Sequence, residues 1–138
     1  MCAVGPSEFG ADPDRVCSYV RCLAFYAMLD IRDAGTCRRY LMTEQLAFFS
    51  PAAQIDIHAA TMPPIFVMRA GRNQVAGLNT SMQTFLEIAI KENAPITLMI
   101  HPMAVHGFET TTDDDRSREI LRAAIEFMRR HVGLSTGP

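Results

Sequence analysis

Residues 63–71 read Pro-Pro-Ile-Phe-Val-Met-Arg-Ala-Gly. Pro63-Pro64 opens the stretch, and Ile65-Phe66-Val67-Met68 follows as a continuous apolar run. A short apolar run rich in β-branched and aromatic side chains suits a strand covered on both faces. That is the pattern of a parallel sheet, because antiparallel strands with one wet face alternate apolar with polar. Ala70-Gly71-Arg72-Asn73-Gln74 then reads as the loop after the strand.

Downstream, Asn79 or Thr80 is expected to cap a helix reaching about Glu92. Its apolar positions Met82, Phe85, Leu86, Ala89 and Ile90 recur at three- and four-residue steps. Asn93-Ala94-Pro95 stops it, and Ile96 to Ile100 forms the next strand. Asp113-Asp114-Asp115 leads into a last helix over about Arg116–His131, with Ile120, Ala124, Phe127 and Met128 as its buried stripe. Acidic residues at its start and basic ones at its end suit the helix dipole, and Gly133 suits the position after it. Upstream, residues 1–15 read as loop and about Arg21–Tyr26 as a strand. Asp30 to Arg39 reads as loop, and Thr43 caps a helix through Phe49 that Ser50-Pro51 ends. Strands alternating with helices predict an α/β domain with a parallel sheet and right-handed crossovers.

At 138 residues with 49% apolar content, the chain supports one domain, its folded region expected over 16–132. A net charge of −2 gives no pull toward nucleic acid or anionic membrane. No apolar run approaches the roughly 20 residues of a membrane helix. Residues 1–8 lack the basic-then-apolar order of a secretory signal. Cys2, Cys17, Cys22 and Cys37 are irregularly spaced, which suits free thiols in a cytoplasmic protein. No C-x2-C pair occurs, and His101 and His106 lie on strand and loop, so neither metal nor cofactor is expected.

The strand Ile96 to Ile100 runs into His101-Pro102-Met103-Ala104-Val105-His106-Gly107-Phe108. A histidine on a loop past a buried strand can titrate near neutral pH, where an α/β enzyme places a general base. His106 therefore reads as a base or as a relic on a loop. His101, at the strand end before Pro102, reads as structural, and His58 and His131 as surface residues. Ser50 and Ser81 suit helix boundaries. Asp113–Asp115 suits a solvated cap, lacking the ligand spacing of a calcium loop.

Several ordered segments resemble the C-terminal part of an α/β-hydrolase of the dienelactone hydrolase or esterase kind. They are Leu23–Asp30, Phe49-Ser50-Pro51, Pro63–Gly71, Asn93–Leu98, His101-Pro102, His106-Gly107-Phe108 and Ile125–His131. The resemblance covers about residues 20–132. It implies a partial α/β-hydrolase fold, with a small parallel sheet of about three strands and flanking helices. It also implies that His106 holds the position of the catalytic histidine and Asn73 that of the acid. An amide cannot supply the acid's charge, and in a serine-protease triad the Asp-to-Asn change lowers turnover by about 10⁴-fold. Taken as residues alone, Asn73 can orient His106, accept a hydrogen bond, or simply make a turn, the last being common for Asn.

The family presents its nucleophile on a G-x-S-x-G turn, which this chain lacks. Asp12-Pro13-Asp14-Arg15-Val16 resembles the lead into the nucleophile strand, yet the next strand follows almost at once. The elbow and the strands before it are thus expected to be missing, with the oxyanion amides. Ser18 and Cys17 are the nucleophile candidates nearby, and neither is flanked by glycine. Two functions follow. One is a protein resembling carboxylic ester hydrolases, transferring acyl groups of a small ester substrate to water, weakly active or inactive alone. The other is a non-catalytic module. It would form a homodimer through an exposed sheet edge, or bind a small molecule in a shallow pocket beside His106 and Phe108.

Overall fold

The computed structural model describes residues 22–35 and 37–132. Cys2, Cys17, Ser18 and Gly133, with most of the expected elbow region, lie outside them. Strands β1 (Cys22–Phe25), β2 (Ile65–Ala70) and β3 (Ile96–His101) form one parallel sheet in the order β1-β2-β3. β2 is the middle strand, with Val67 opposite Ala24 on one side and Leu98 on the other. Its side chains alternate between two cores. Ile65 and Val67 enter one cluster, while Phe66, Met68 and Ala70 enter the other.

Helices cover both faces, as the continuous apolar run requires. Between β1 and β2 come α1 (Thr43–Phe49) and α2 (Pro51–His58), and between β2 and β3 comes α3 (Leu78–Lys91). Ala52 and Ile55 of α2 and Met82, Phe85, Leu86 and Ala89 of α3 pack with Val67 on one face. After β3 come α4 (Phe108–Thr111) and α5 (Asp115–Val132). Phe108 of α4 and Ile120, Ala124 and Phe127 of α5 pack with Phe66 and Met68 on the other face. Each fully buried large apolar side chain is worth about 1.5–3 kcal/mol, so β2 and its two covers dominate the core.

The chain departs from the sequence expectations in instructive places. β2 and β3 run on to Ala70 and His101 because those two residues still pair across the ladder. Thr43 does not cap α1. Met42 holds that position, and the Gln45 carboxamide oxygen accepts its N–H at 2.9 Å. Ser50-Pro51 ends α1 but also starts α2, since proline at a first helical position gives up an N–H that had no partner. Neither Asn79 nor Thr80 caps α3. Gly77 does, at φ 76°, a left-handed turn that glycine takes without a Cβ clash. Ile90 and Met128 are exposed, 76% and 38%. Each follows a buried residue by one position, which turns it about 100° off the packed face. Cys37–Arg39 forms a short 3₁₀ turn within the expected loop.

Among the described glycines, Gly71 is the one that another part of the backbone presses against. A Cβ there would stand 2.3 Å from the Pro102 carbonyl oxygen. The backbone is held in place by the Gly71 N–H, which donates to the His101 carbonyl at 2.9 Å. Gly71→Ala should therefore lower stability by roughly 1–3 kcal/mol, the usual penalty for overpacking. Urea denaturation of the two proteins checks this, and an unchanged midpoint would contradict it.

Candidate active site

Past the sheet's C-terminal edge, the loops after β2 and β3 run side by side. The Gly71 bond to His101 continues the ladder, and the Arg72 N–H donates to the Ala104 carbonyl at 2.9 Å. This backbone contact carries Asn73 to His106. The Asn73 Nδ2 amide lies 3.3 Å from His106 Nδ1. Among the described residues the His106 ring hydrogen-bonds only to Asn73. The two residues expected to share a site are thus adjacent, although they lie 33 positions apart in sequence.

Asn73 is itself held. Its side-chain oxygen accepts the Val75 N–H at 3.0 Å, an Asx turn. The turn role and the His106 contact therefore coexist in one side chain, each using a different end of the amide. His106 is exposed, with one side of its ring against Tyr26, centroids 4.9 Å apart.

Tyr26 was not singled out by the sequence. It follows β1 directly, at φ 44°, a left-handed conformation that costs a non-glycine residue on the order of 1 kcal/mol. Its ring also meets the edge of Phe108, and its hydroxyl donates to the Glu109 carboxylate. Burial first, and then Glu109, hold the hydroxyl well above its ordinary range, so it stays a donor. Phe108 is fully buried beneath this group. It therefore cannot line a shallow surface pocket beside His106, and that expectation is corrected.

His101 is buried, as a structural residue should be, but its partner was missed. Its Nε2 lies 3.0 Å from an oxygen of Asp114, at the N-terminus of α5. Asp114 is therefore more than a solvated cap. It accepts the Ser117 N–H at 2.7 Å and ties the end of β3 to the start of α5. Arg116 adds to the same tie by donating twice to the Ile100 carbonyl, at 3.1 and 2.8 Å. The loop bearing His106 is thus pinned at both ends. His131 is half-buried over Phe127 rather than fully exposed.

A second network was not legible either. Ser50 and Ser81 do sit at helix starts, but their hydroxyls serve Asp30. Ser50 donates to its carboxylate at 3.0 Å, and Ser81 bridges its backbone N–H and carbonyl at 2.6 and 2.8 Å. Arg32 closes a two-pronged ion pair on the same carboxylate, which holds it below the ordinary range. A cavity of about 550 Å³ opens beside this network, between Met28–Asp30 and Gly77–Ser81, and neither Asn73 nor His106 lines it. Among the described residues no three His, Cys, Asp or Glu side chains gather as metal ligands, and no helix is long and apolar enough to cross a membrane.

No family model matches the chain, and no curated protein matches its sequence. Its fold is similar to solved structures of an esterase from the planctomycete Thermogutta terrifontis. The native form of that thermophilic esterase is 21% identical, with a TM-score of 0.67 over 98% of this chain and 51% of its own. A form phosphoramylated by tabun is 20% identical, with a TM-score of 0.64 over 86% and 43%. A propionate-bound form is 20% identical, with a TM-score of 0.58 over 86% and 44%. The chain thus has a partial α/β-hydrolase-like fold and spans about half the length of the esterase it matches.

The Asp114 carboxyl is held down from 3.8 to about 2, chiefly by the Ser117 amide, with His101 adding to it. A carboxylate whose folded pKa lies below its unfolded one stabilises above the ordinary range, and loses that contribution as pH falls toward the folded value. The urea midpoint should therefore drop between about pH 4 and about pH 2. Asp114→Asn should lower the midpoint at pH 6 and flatten its fall through that window. A variant as acid-sensitive as the parent would contradict this.

Proposed function

We propose that this chain is an esterase-like hydrolase protein, of the dienelactone hydrolase or esterase kind, that carries the acid–base half of an acyl-transfer site. His106 is its base and Asn73 stands in the acid position. The observation that supports this is the meeting of Asn73 and His106 on loops past two adjacent parallel strands. Enzymes of open α/β sheets gather their chemistry at that edge. Short acyl esters are the substrate class, in keeping with the propionate bound in the structurally similar esterase. The free thiols of Cys22 and Cys37 suit a reducing, cytoplasmic setting.

Turnover by the chain alone is weak. Asn73 brings no negative charge to stabilise a His106 imidazolium, and no described hydroxyl or thiol hydrogen-bonds to the ring. Hydrolysis of p-nitrophenyl butyrate should run at least about 10⁴-fold below that of a complete triad enzyme. His106→Ala should lower it further, to the buffer rate. Equal rates for the two proteins would remove His106 from the chemistry and leave a binding module.

Self-association is a second function, favoured by the outer edge of β3. That edge has no partner among the described residues. It is flanked by exposed Ile90 and Leu98 along an apolar groove of about 380 Å³. An open edge with apolar neighbours pairs readily with a second copy. Analytical ultracentrifugation should find a dimer that Leu98→Lys converts to monomer. A folded parent that sediments as a monomer would rule out edge pairing.

A further inference from the structure

We propose that Asn73 is a positioning residue that fixes the proton of neutral His106 on Nε2, so that the resting ring faces the site as a hydrogen-bond donor and must change tautomer before it serves as a base. This rests on the reading of Asn73 and His106 as one site, but not on any turnover.

Two bonds carry it. The Val75 N–H is a backbone donor with no alternative role, and it points at one end of the Asn73 amide at 3.0 Å. That end must be the carbonyl oxygen, because an NH₂ group there would set donor against donor. The amide's NH₂ group is then the end that faces His106 Nδ1, at 3.3 Å. A donor at that distance needs an acceptor, so Nδ1 carries the lone pair and Nε2 the hydrogen. Nε2 meets no hydrogen-bond partner among the described residues, so its hydrogen is free for a ligand.

The chemistry is the reverse of a triad's. There, a carboxylate accepts from Nδ1–H and leaves the Nε2 lone pair to take a proton from the nucleophile. Here the accepting nitrogen is already occupied by Asn73. The ring can hydrogen-bond an ester carbonyl or a carboxylate oxygen, but it cannot receive a hydroxyl proton at Nε2 without first changing tautomer. Tyr26, against the side of the ring, hinders the turn that would exchange the two nitrogens.

The test is the proton–nitrogen correlation spectrum of the ¹⁵N-labelled chain, recorded above about pH 8, where an ordinary histidine is neutral. The signal lost in His106→Gln identifies the ring. In the parent, the Nδ1 and Nε2 shifts should be those of a single Nε2–H form. Asn73→Ala should move both toward the averaged values of exchanging tautomers, and Asn73→Asp should transfer the hydrogen to Nδ1. A parent spectrum that is already averaged overturns the proposal even if no variant folds. So does an Asn73→Asp spectrum that keeps the hydrogen on Nε2, provided the His101 signals show an intact fold. Loss of ester turnover alone would bear on the hydrolase reading and leave this result unaffected.

Discussion

The site depends on a piece of backbone that carries the β2–β3 ladder past the ends of its strands. Gly71 donates to His101 and Arg72 to Ala104, so the two loops advance together rather than splaying apart. Parallel neighbours normally diverge into separate loops at this edge, which is why ligand crevices form there. Here the space is closed, because Gly71 has no side chain and lies directly against the Pro102 carbonyl. Asn73 and His106 are the next residues along each loop with groups to exchange. Their contact is a consequence of the main chain rather than of any attraction between an amide and an imidazole.

Rigidity around that contact comes from side chains that serve backbone. Asp114 holds the Ser117 amide and the buried His101 ring together, so the loop bearing His106 leaves and returns at fixed points. Asp30, with Ser50, Ser81 and Arg32, fastens the chain after β1 to the starts of α2 and α3. Tyr26 sits between the two clamps in a strained conformation. That conformation persists because the Met68 carbonyl, Phe108 and Glu109 each hold a different part of the residue. The fold thus holds Asn73 and His106 in a fixed frame in which an amide, rather than a carboxylate, faces the imidazole.

What could be read from the sequence was the repeated pattern. Ile65–Met68 announced the buried middle strand, and Ile96–Ile100 announced a second strand that read as buried but lies at the sheet's edge, half-buried to exposed up to His101. The stripes Met82–Ala89 and Ile120–Phe127 announced the covering helices. Gly71 was visible only as a loop residue, because nothing in a linear string marks a Pro102 carbonyl pressing on it. His101 was legible as structural from its place at a strand end. Asp114 read as a helix cap, and the bond that joins the two spans 13 residues and a loop. Tyr26 carried no signal, since a left-handed tyrosine cannot be told from an ordinary strand end.

Local composition therefore determined the kind of elements, their order, and the α/β layering, because burial on one or both faces writes a period of its own into the residues. It also placed His106 and Asn73 on loops at the same edge. Only the tertiary structure decided how those loops meet, which end of the Asn73 amide faces the ring, and which residues hold the pair in place. Those outcomes rest on single contacts between distant segments, set by ångström-scale fit. A sequence records such contacts as isolated letters without a period.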